Sequence, residues 1–296
     1  MNKIRRDWIR DITPTTTLTT TVPTPNITLT TTLPTTSIPV ATPVNINLTF
    51  ERSSMQWLFP LQVGTPFQAL NVPIISTSSL LWVVSQLCMS PFGDACNNEI
   101  VGIALTIPSN DSDSYGGIIT FGGVDPTYII GNNESNIVYY PFLPFTETEQ
   151  PIRLPVIIHV NGAPLDYPGI ASFNNEIQTI QFDDRLAAFI LGLLPGGSYS
   201  NGSATVNCDI SSSFDISFEL GNQTNNQKWR LPPFAIPNEL ISGNLCSSTI
   251  TGGAVDTNSW IFGSAFITKF YMVFDQAKSQ LGIANRSDIN YGDSPM

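Results

Sequence analysis

Few side chains in this 296-residue sequence could do chemistry, and their types narrow the field quickly. There is one histidine, His159, inside the run LPVIIHVN, and no G-x-S-x-G nucleophile elbow, which argues against a serine hydrolase. No H-E-x-x-H occurs and the four cysteines, Cys88, Cys96, Cys208 and Cys246, form no C-x-x-C, so no zinc or other metal site is read. No G-x-G-x-x-G or phosphate loop is present, and no cofactor is expected. Acids outnumber bases 23 to 12, for a net charge of −11, and such a surface repels nucleic-acid backbones. The acids are scattered and read as solvated. His159 reads as a packed strand histidine rather than a catalytic group.

The segments that would have to position a site are strands and turns. Apolar residues make up 42% of the chain and charged residues 12%, with 23 prolines, a core-forming composition rich in turns. Leu61–Ser85, LQVGTPFQALNVPIISTSSLLWVVS, reads as two apolar strands joined at Val63-Gly64-Thr65-Pro66, where Gly supplies φ freedom and Pro fixes φ. Gly102–Ile107, Gly116–Phe121, Asn136–Phe142 and Leu154–Asn161 read as further strands, the last turned by Asn161-Gly162. Asp183 and Asp184 look like the N-cap and first turn of a helix through Leu191 that stops at Pro195-Gly196-Gly197. Cys208–Leu220 alternates apolar and polar residues, as a half-buried strand pair does. Thr13–Pro43 is a Thr/Pro tract that can form neither helix nor core, and is expected to be an extended stalk or leader. Met1–Ile12 has no apolar h-region, so no signal peptide is read there. The longest apolar run, Leu186–Leu194, falls well short of the ~20 residues that cross a membrane. Seven N-x-S/T sequons begin at Asn26, Asn47, Asn110, Asn133, Asn201, Asn222 and Asn285. With an even cysteine count they point to the secretory route.

Several of these segments resemble the pepsin-like aspartic peptidases (family A1). Gly64-Thr65-Pro66-Phe67-Gln68 matches that family's I-G-T-P-x-Q, and Ser78-Ser79-Leu80-Leu81-Trp82-Val83 matches the end of D-T-G-S-S-x-L-W-V. Gly116–Pro126 matches G-G-x-L-x-F-G-G-V-D-P. Trp260–Ala284, WIFGSAFITKFYMVFDQAKSQLGIA, is the closest match, with Ser264 where the family usually has an acid outside the catalytic pair. The resemblance implies a mostly β, bilobal acid-protease architecture of β-barrel lobes, the first incomplete and the second nearly complete. The expected organisation is residues 1–52 as a Thr/Pro-rich disordered leader or stalk, 53–142 as a truncated first lobe and 143–296 as the second lobe. It also implies disulfides Cys88–Cys96 and Cys208–Cys246, and a first lobe that is poorly packed because internal strands are missing.

The family's catalytic aspartates are where the resemblance fails. Counting back from Trp82 puts Ile75 at the first position; a register slipped by one puts Ser76 there. Counting from the following helix puts Phe173 or Asn174 at the second. No tyrosine of a substrate-covering flap can be assigned. The sequence therefore reads as a pepsin-like endopeptidase homologue that is catalytically inactive. The alternatives are an active aspartic endopeptidase whose sequence has lost exons, and a non-enzymatic cell-surface glycoprotein module. By resemblance, partners would be peptide or protein segments in a residual cleft, the chain a monomer without nucleic acid or membrane span, and the location extracellular, vacuolar or cell-wall associated.

Overall fold

The hydrophobic run at Leu61 pairs with itself, as its composition requires. Strand β2 (Gln56–Val63) and strand β3 (Gln68–Pro73) form an antiparallel hairpin in the register Leu61↔Leu70. The computed structural model describes residues 43–63, 68–76, 100–109, 112–144, 152–210, 214–221, 227–254 and 258–291. The turn between β2 and β3, Cys88, Cys96 and the Ser78–Val83 motif lie outside them, as does the Thr/Pro tract through residue 42. The described residues belong to one unit, Val40–Met296.

The first part of the chain continues through β4 (Ile100–Leu105), β5 (Tyr115–Phe121) and β6 (Val138–Pro141), preceded by β1 (Val44–Glu51). Strand β1 lies in the stretch that the sequence assigned to the leader. The leader therefore ends before residue 44 rather than at 52: Val44-Asn45-Ile46-Asn47-Leu48-Thr49-Phe50 alternates, and the pattern buries Leu48 and Phe50 while Asn47 and Thr49 face out. The second part holds β7 (Arg153–Val160), β8 (Ala163–Pro164), β9 (Gly169–Phe173), β10 (Ile180–Gln181), helix α1 (Asp184–Gly192), β11 (Ser198–Ser200), β12 (Ser203–Asn207), β13 (Ile216–Leu220) and β14 (Lys228–Leu231). It ends with β15 (Pro237–Ser242), β16 (Leu245–Ser248), β17 (Ile250–Thr251), β18 (Ser259–Phe262), a one-turn helix α2 (Ser264–Ile267), β19 (Phe270–Asp275) and β20 (Gln280–Asn285).

These strands make three sheets, a mostly β fold of the pepsin type. One sheet runs β3-β2-β1-β5-β4-β19-β20-β6, a second runs β14-β13-β7-β9-β18-β10-β17 with β8 beside β7, and a small third runs β11-β12-β16-β15. The first sheet does not end with the first half of the chain. Strands β19 and β20 return from the C-terminal motif and pair with β4 and β6, in registers such as Val273↔Gly102 and Gly282↔Tyr139. The described residues at the start of the chain contribute to the core. Leu48, Phe50 and Trp57 are 2%, 3% and 1% exposed and share one core cluster with Phe173, Trp260 and Phe266. Each such burial is worth about 1.5–3 kcal/mol.

Sequence signals at the turns match the backbone. Asn161 and Gly162 both have positive φ (50° and 80°), the geometry of a two-residue type I′ turn. Asp183 caps α1, its carboxylate accepting from Arg185 N–H and Leu186 N–H.

Candidate active site

Two short strand ends meet in the middle of the molecule. After β3 the chain runs Ile74-Ile75-Ser76, anchored by Ile74 N–H donating to Trp57 O at 2.8 Å. After β9 it runs Asn174-Asn175. Strand β9 is held between β7 and β18, and Phe173 at its end is 1% exposed, packed against the rings of Phe262 (5.8 Å) and Phe266 (5.9 Å). That aromatic anchor fixes where the second strand end emerges.

The two ends are bound to each other by four hydrogen bonds that come in two equivalent pairs. Ser76 N–H donates to Asn175 Oδ1 at 2.7 Å, and Asn175 N–H donates to Ser76 Oγ at 3.0 Å. The Ser76 hydroxyl then donates to Phe173 O at 3.1 Å, and Asn175 Nδ2 donates to Ile74 O at 2.7 Å. Exchange residue 76 with 175 and residue 74 with 173, and the pattern maps onto itself. Burial follows the same rule: Ile74, Ser76, Phe173 and Asn175 are buried, while Ile75 and Asn174 are both half-buried. Ser76 and Asn175 are 5% and 3% exposed, so all the polar groups in this knot depend on one another for partners.

A second layer holds the loop after Asn174. Asn174 Oδ1 accepts from Glu176 N–H at 2.9 Å, and Asn174 N–H donates to Phe262 O at 3.1 Å. From the C-terminal motif, Gly263 N–H donates to Thr179 O and Ser264 N–H donates to Ile177 O at 2.7 Å. A side chain at Gly263 would strike both of those carbonyls, which explains why the W-I-x-G motif carries glycine there. Ser264, at the usual acid's position, is 2% exposed and its hydroxyl reaches Gln178 O at 3.4 Å.

The bonds knitting the two ends together are all amide, carbonyl or hydroxyl. Asp166 is exposed in the turn before β9, and Asp183 is committed to capping α1. Among the described residues no group of three or more His, Cys, Asp or Glu side chains is arranged to hold a metal. His159 is 4% exposed in β7, with Nε2 at 3.1 Å from Glu219 Oε2 across the β7–β13 pair. Cys208 and Cys246 are joined by a disulfide tying the end of β12 to β16. Of the sequons, Asn47, Asn133 and Asn201 are exposed and Asn285 is half-buried; Asn26, Asn110 and Asn222 lie outside the described residues. Reading the sequence for acids overlooked Ser76 and Asn175 as a pair. The available signal was a shared pattern, a short polar residue two places after a buried apolar one at each strand end: Ile74-x-Ser76 and Phe173-x-Asn175.

Residues 169–286 match the model of the eukaryotic aspartyl protease family. The match includes Asn174 and Asn175 and the whole C-terminal motif, and begins well after Ile75. The chain is 28% identical over 200 residues to pepsin A of Rhinolophus ferrumequinum, covering 65% of this chain and 48% of that protein. It is 27% identical over 203 residues to a probable aspartic-type endopeptidase CTSD of Arthroderma otae, covering 67% and 48%. Over a shorter stretch of 89 residues it is 35% identical to pepsin A of Bos taurus, covering 29% of this chain and 22% of that one. The chain thus spans about half the length of the first two relatives. With its mostly β architecture and its two strand ends locked face to face, the chain is similar to the pepsin-like eukaryotic aspartyl proteases, most clearly over residues 169–286.

Proposed function

We propose that this chain is a non-proteolytic pepsin-like homologue, with Ile75 and Asn174 at the two positions where the family carries its catalytic aspartates. The observation that carries this reading is the two-fold hydrogen-bond pattern. If residue 76 corresponds to 175 and residue 74 to 173, then 75 corresponds to 174. Of the two sequence candidates for the second position, this favours Asn174; Phe173 points into the aromatic core.

Aspartic peptidases hydrolyse peptides with two carboxylates that share one proton, because like charges so close cannot both ionise. The ionised one draws a proton from water and the neutral one donates to the scissile carbonyl oxygen. Isoleucine has no proton to exchange, and an asparagine amide does not titrate in the working range. The Asn174 carboxamide oxygen is also already held by Glu176 N–H. The surviving function would then be recognition of extended peptide or protein segments in a residual cleft of the kind the family uses. The first lobe in this reading starts at β1 rather than at residue 53, and the second follows residue 142. The Cys208–Cys246 disulfide favours an oxidising, extracellular or vacuolar setting. No helix among the described residues is long and apolar enough to cross a membrane.

One observation supports an alternative, an active endopeptidase with missing exons: the chain spans about half of its relatives. Ile75 speaks against it, since that residue lies in a retained segment. The test is hydrolysis of a denatured protein by the purified chain at acidic pH, with and without a statine-type inhibitor. The proposal expects no inhibitor-sensitive cleavage. Inhibitor-sensitive turnover would overturn it, and transcripts that carry an inserted block would establish the alternative.

A further inference from the structure

We infer that Asn201 is an N-glycosylation site, occupied on the folded protein by an oligosaccharide standing off the β11–β12 hairpin. The inference is independent of whether the chain cleaves peptides. Asn201-Gly202-Ser203 is a sequon at the tip of a two-residue hairpin, with Ser200 paired to Ser203. Asn201 and Gly202 have φ of 51° and 79°, the type I′ geometry that turns the first side chain away from the strands. Asn201 is exposed, its carboxamide makes no hydrogen bond among the described residues, and the space beside Gly202 is open.

The other described sequons are each compromised. Asn285 lies half-buried in β20 opposite Phe270 and directly precedes Arg286, which is 1% exposed. Asn47 sits inside β1 opposite Ile118. Asn133 uses its carboxamide oxygen to cap a turn by accepting from Ser135 N–H at 3.0 Å.

The second, independent observation is the nearby disulfide. Cys208 directly follows β12, the strand that leaves this hairpin, and is bonded to Cys246. A structural disulfide forms in the oxidising compartment in which oligosaccharide is also transferred to asparagine. The donor class is a lipid-linked oligosaccharide pyrophosphate. A bond forms between Asn201 Nδ2 and the sugar C1, the C1–O bond to the pyrophosphate breaks, the lipid pyrophosphate leaves, and the amide gives up one proton.

The test uses the full chain secreted from eukaryotic cells. Release of N-glycans in heavy-oxygen water should convert Asn201 to heavy-labelled aspartate, while the Asn285 peptide stays unlabelled. Unmodified Asn201 in secreted, disulfide-bonded protein would overturn the inference. So would unlabelled aspartate or isoaspartate at 201, the signature of Asn-Gly deamidation on a bare side chain. Asn201→Gln should remove one glycan-sized step from the mass. Ser203→Ala should do the same while leaving Asn201 in its turn, and Ser203→Thr should retain the glycan. Retention of the full mass by Ser203→Ala would also refute the assignment.

Discussion

Replacing Asn175 with alanine probes the knot on which the two-fold correspondence rests. The change removes the acceptor of Ser76 N–H and the donor to Ile74 O, both at 2.7 Å. Two backbone groups in the interior lose their partners, at roughly 1–3 kcal/mol each. The carbonyl end is the cheaper loss, and water entering the vacated volume would recover part of the rest, so about 3 kcal/mol is expected. For a chain of this size each kcal/mol moves Tm by roughly 2–4 °C, giving a fall of about 6–12 °C. Urea unfolding followed by tryptophan fluorescence reads it, since Trp57 reports on the first sheet and Trp229 and Trp260 on the second. Asn175→Thr is the informative control. Its hydroxyl can accept from Ser76 N–H and donate to Ile74 O, as the Ser76 hydroxyl does for the opposite strand end. It should recover most of the loss. In a double-mutant cycle, Ser76→Ala and Asn175→Ala should couple by about 1 kcal/mol or more, because both hold the same two segments. If Asn175→Ala costs under about 0.5 kcal/mol, or Asn175→Thr behaves no better than alanine, the two-fold argument fails, and with it the pairing of Ile75 with Asn174.

Two further outcomes follow from features away from the knot. Replacing Cys208 and Cys246 with serine opens a loop spanning a sequence separation of 38, and chain entropy puts the loss at about 4 kcal/mol; denaturant titration of oxidised and variant protein showing under about 1 kcal/mol would contradict it. Burial, and then the charge of Arg286, push Lys269 down to about 8, so the folded protein binds fewer protons than the unfolded chain above that point. The contribution of Lys269 to stability should therefore grow as pH goes from about 8 towards 10, so the wild type should gain on Lys269→Met over that range. The buried tyrosines act in the opposite sense: burial raises Tyr140 to about 12, so its contribution is lost as pH climbs from about 10 through that value. A wild-type slope identical to that of Lys269→Met between pH 8 and 10 would refute the assignment.

Much of the fold is local enough to be legible in the chain itself. The hairpin around Leu61, the Asn161-Gly162 turn and the Asp183 cap each depend on residues within a few positions of one another, so propensity and turn chemistry suffice. Strand β1 was obscured because Thr/Pro-rich sequence precedes it without a break, and its alternation only acquires meaning once β2 and β5 flank it. The return of β19 and β20 to the first sheet is a pairing between segments more than a hundred residues apart, which no local pattern encodes.

At the site the division is similar. That neither candidate position carries an acid is a property of the amino-acid order alone, which packing cannot change. The different surroundings of Phe173 and Asn174 were decided by the folded chain. Phe173 is drawn into the aromatic core, and Ser76 and Asn175, 99 positions apart, are buried where each can be satisfied only by the other's strand end. Covalent order sets which groups are available, while mutual burial of polar groups selects which of them meet.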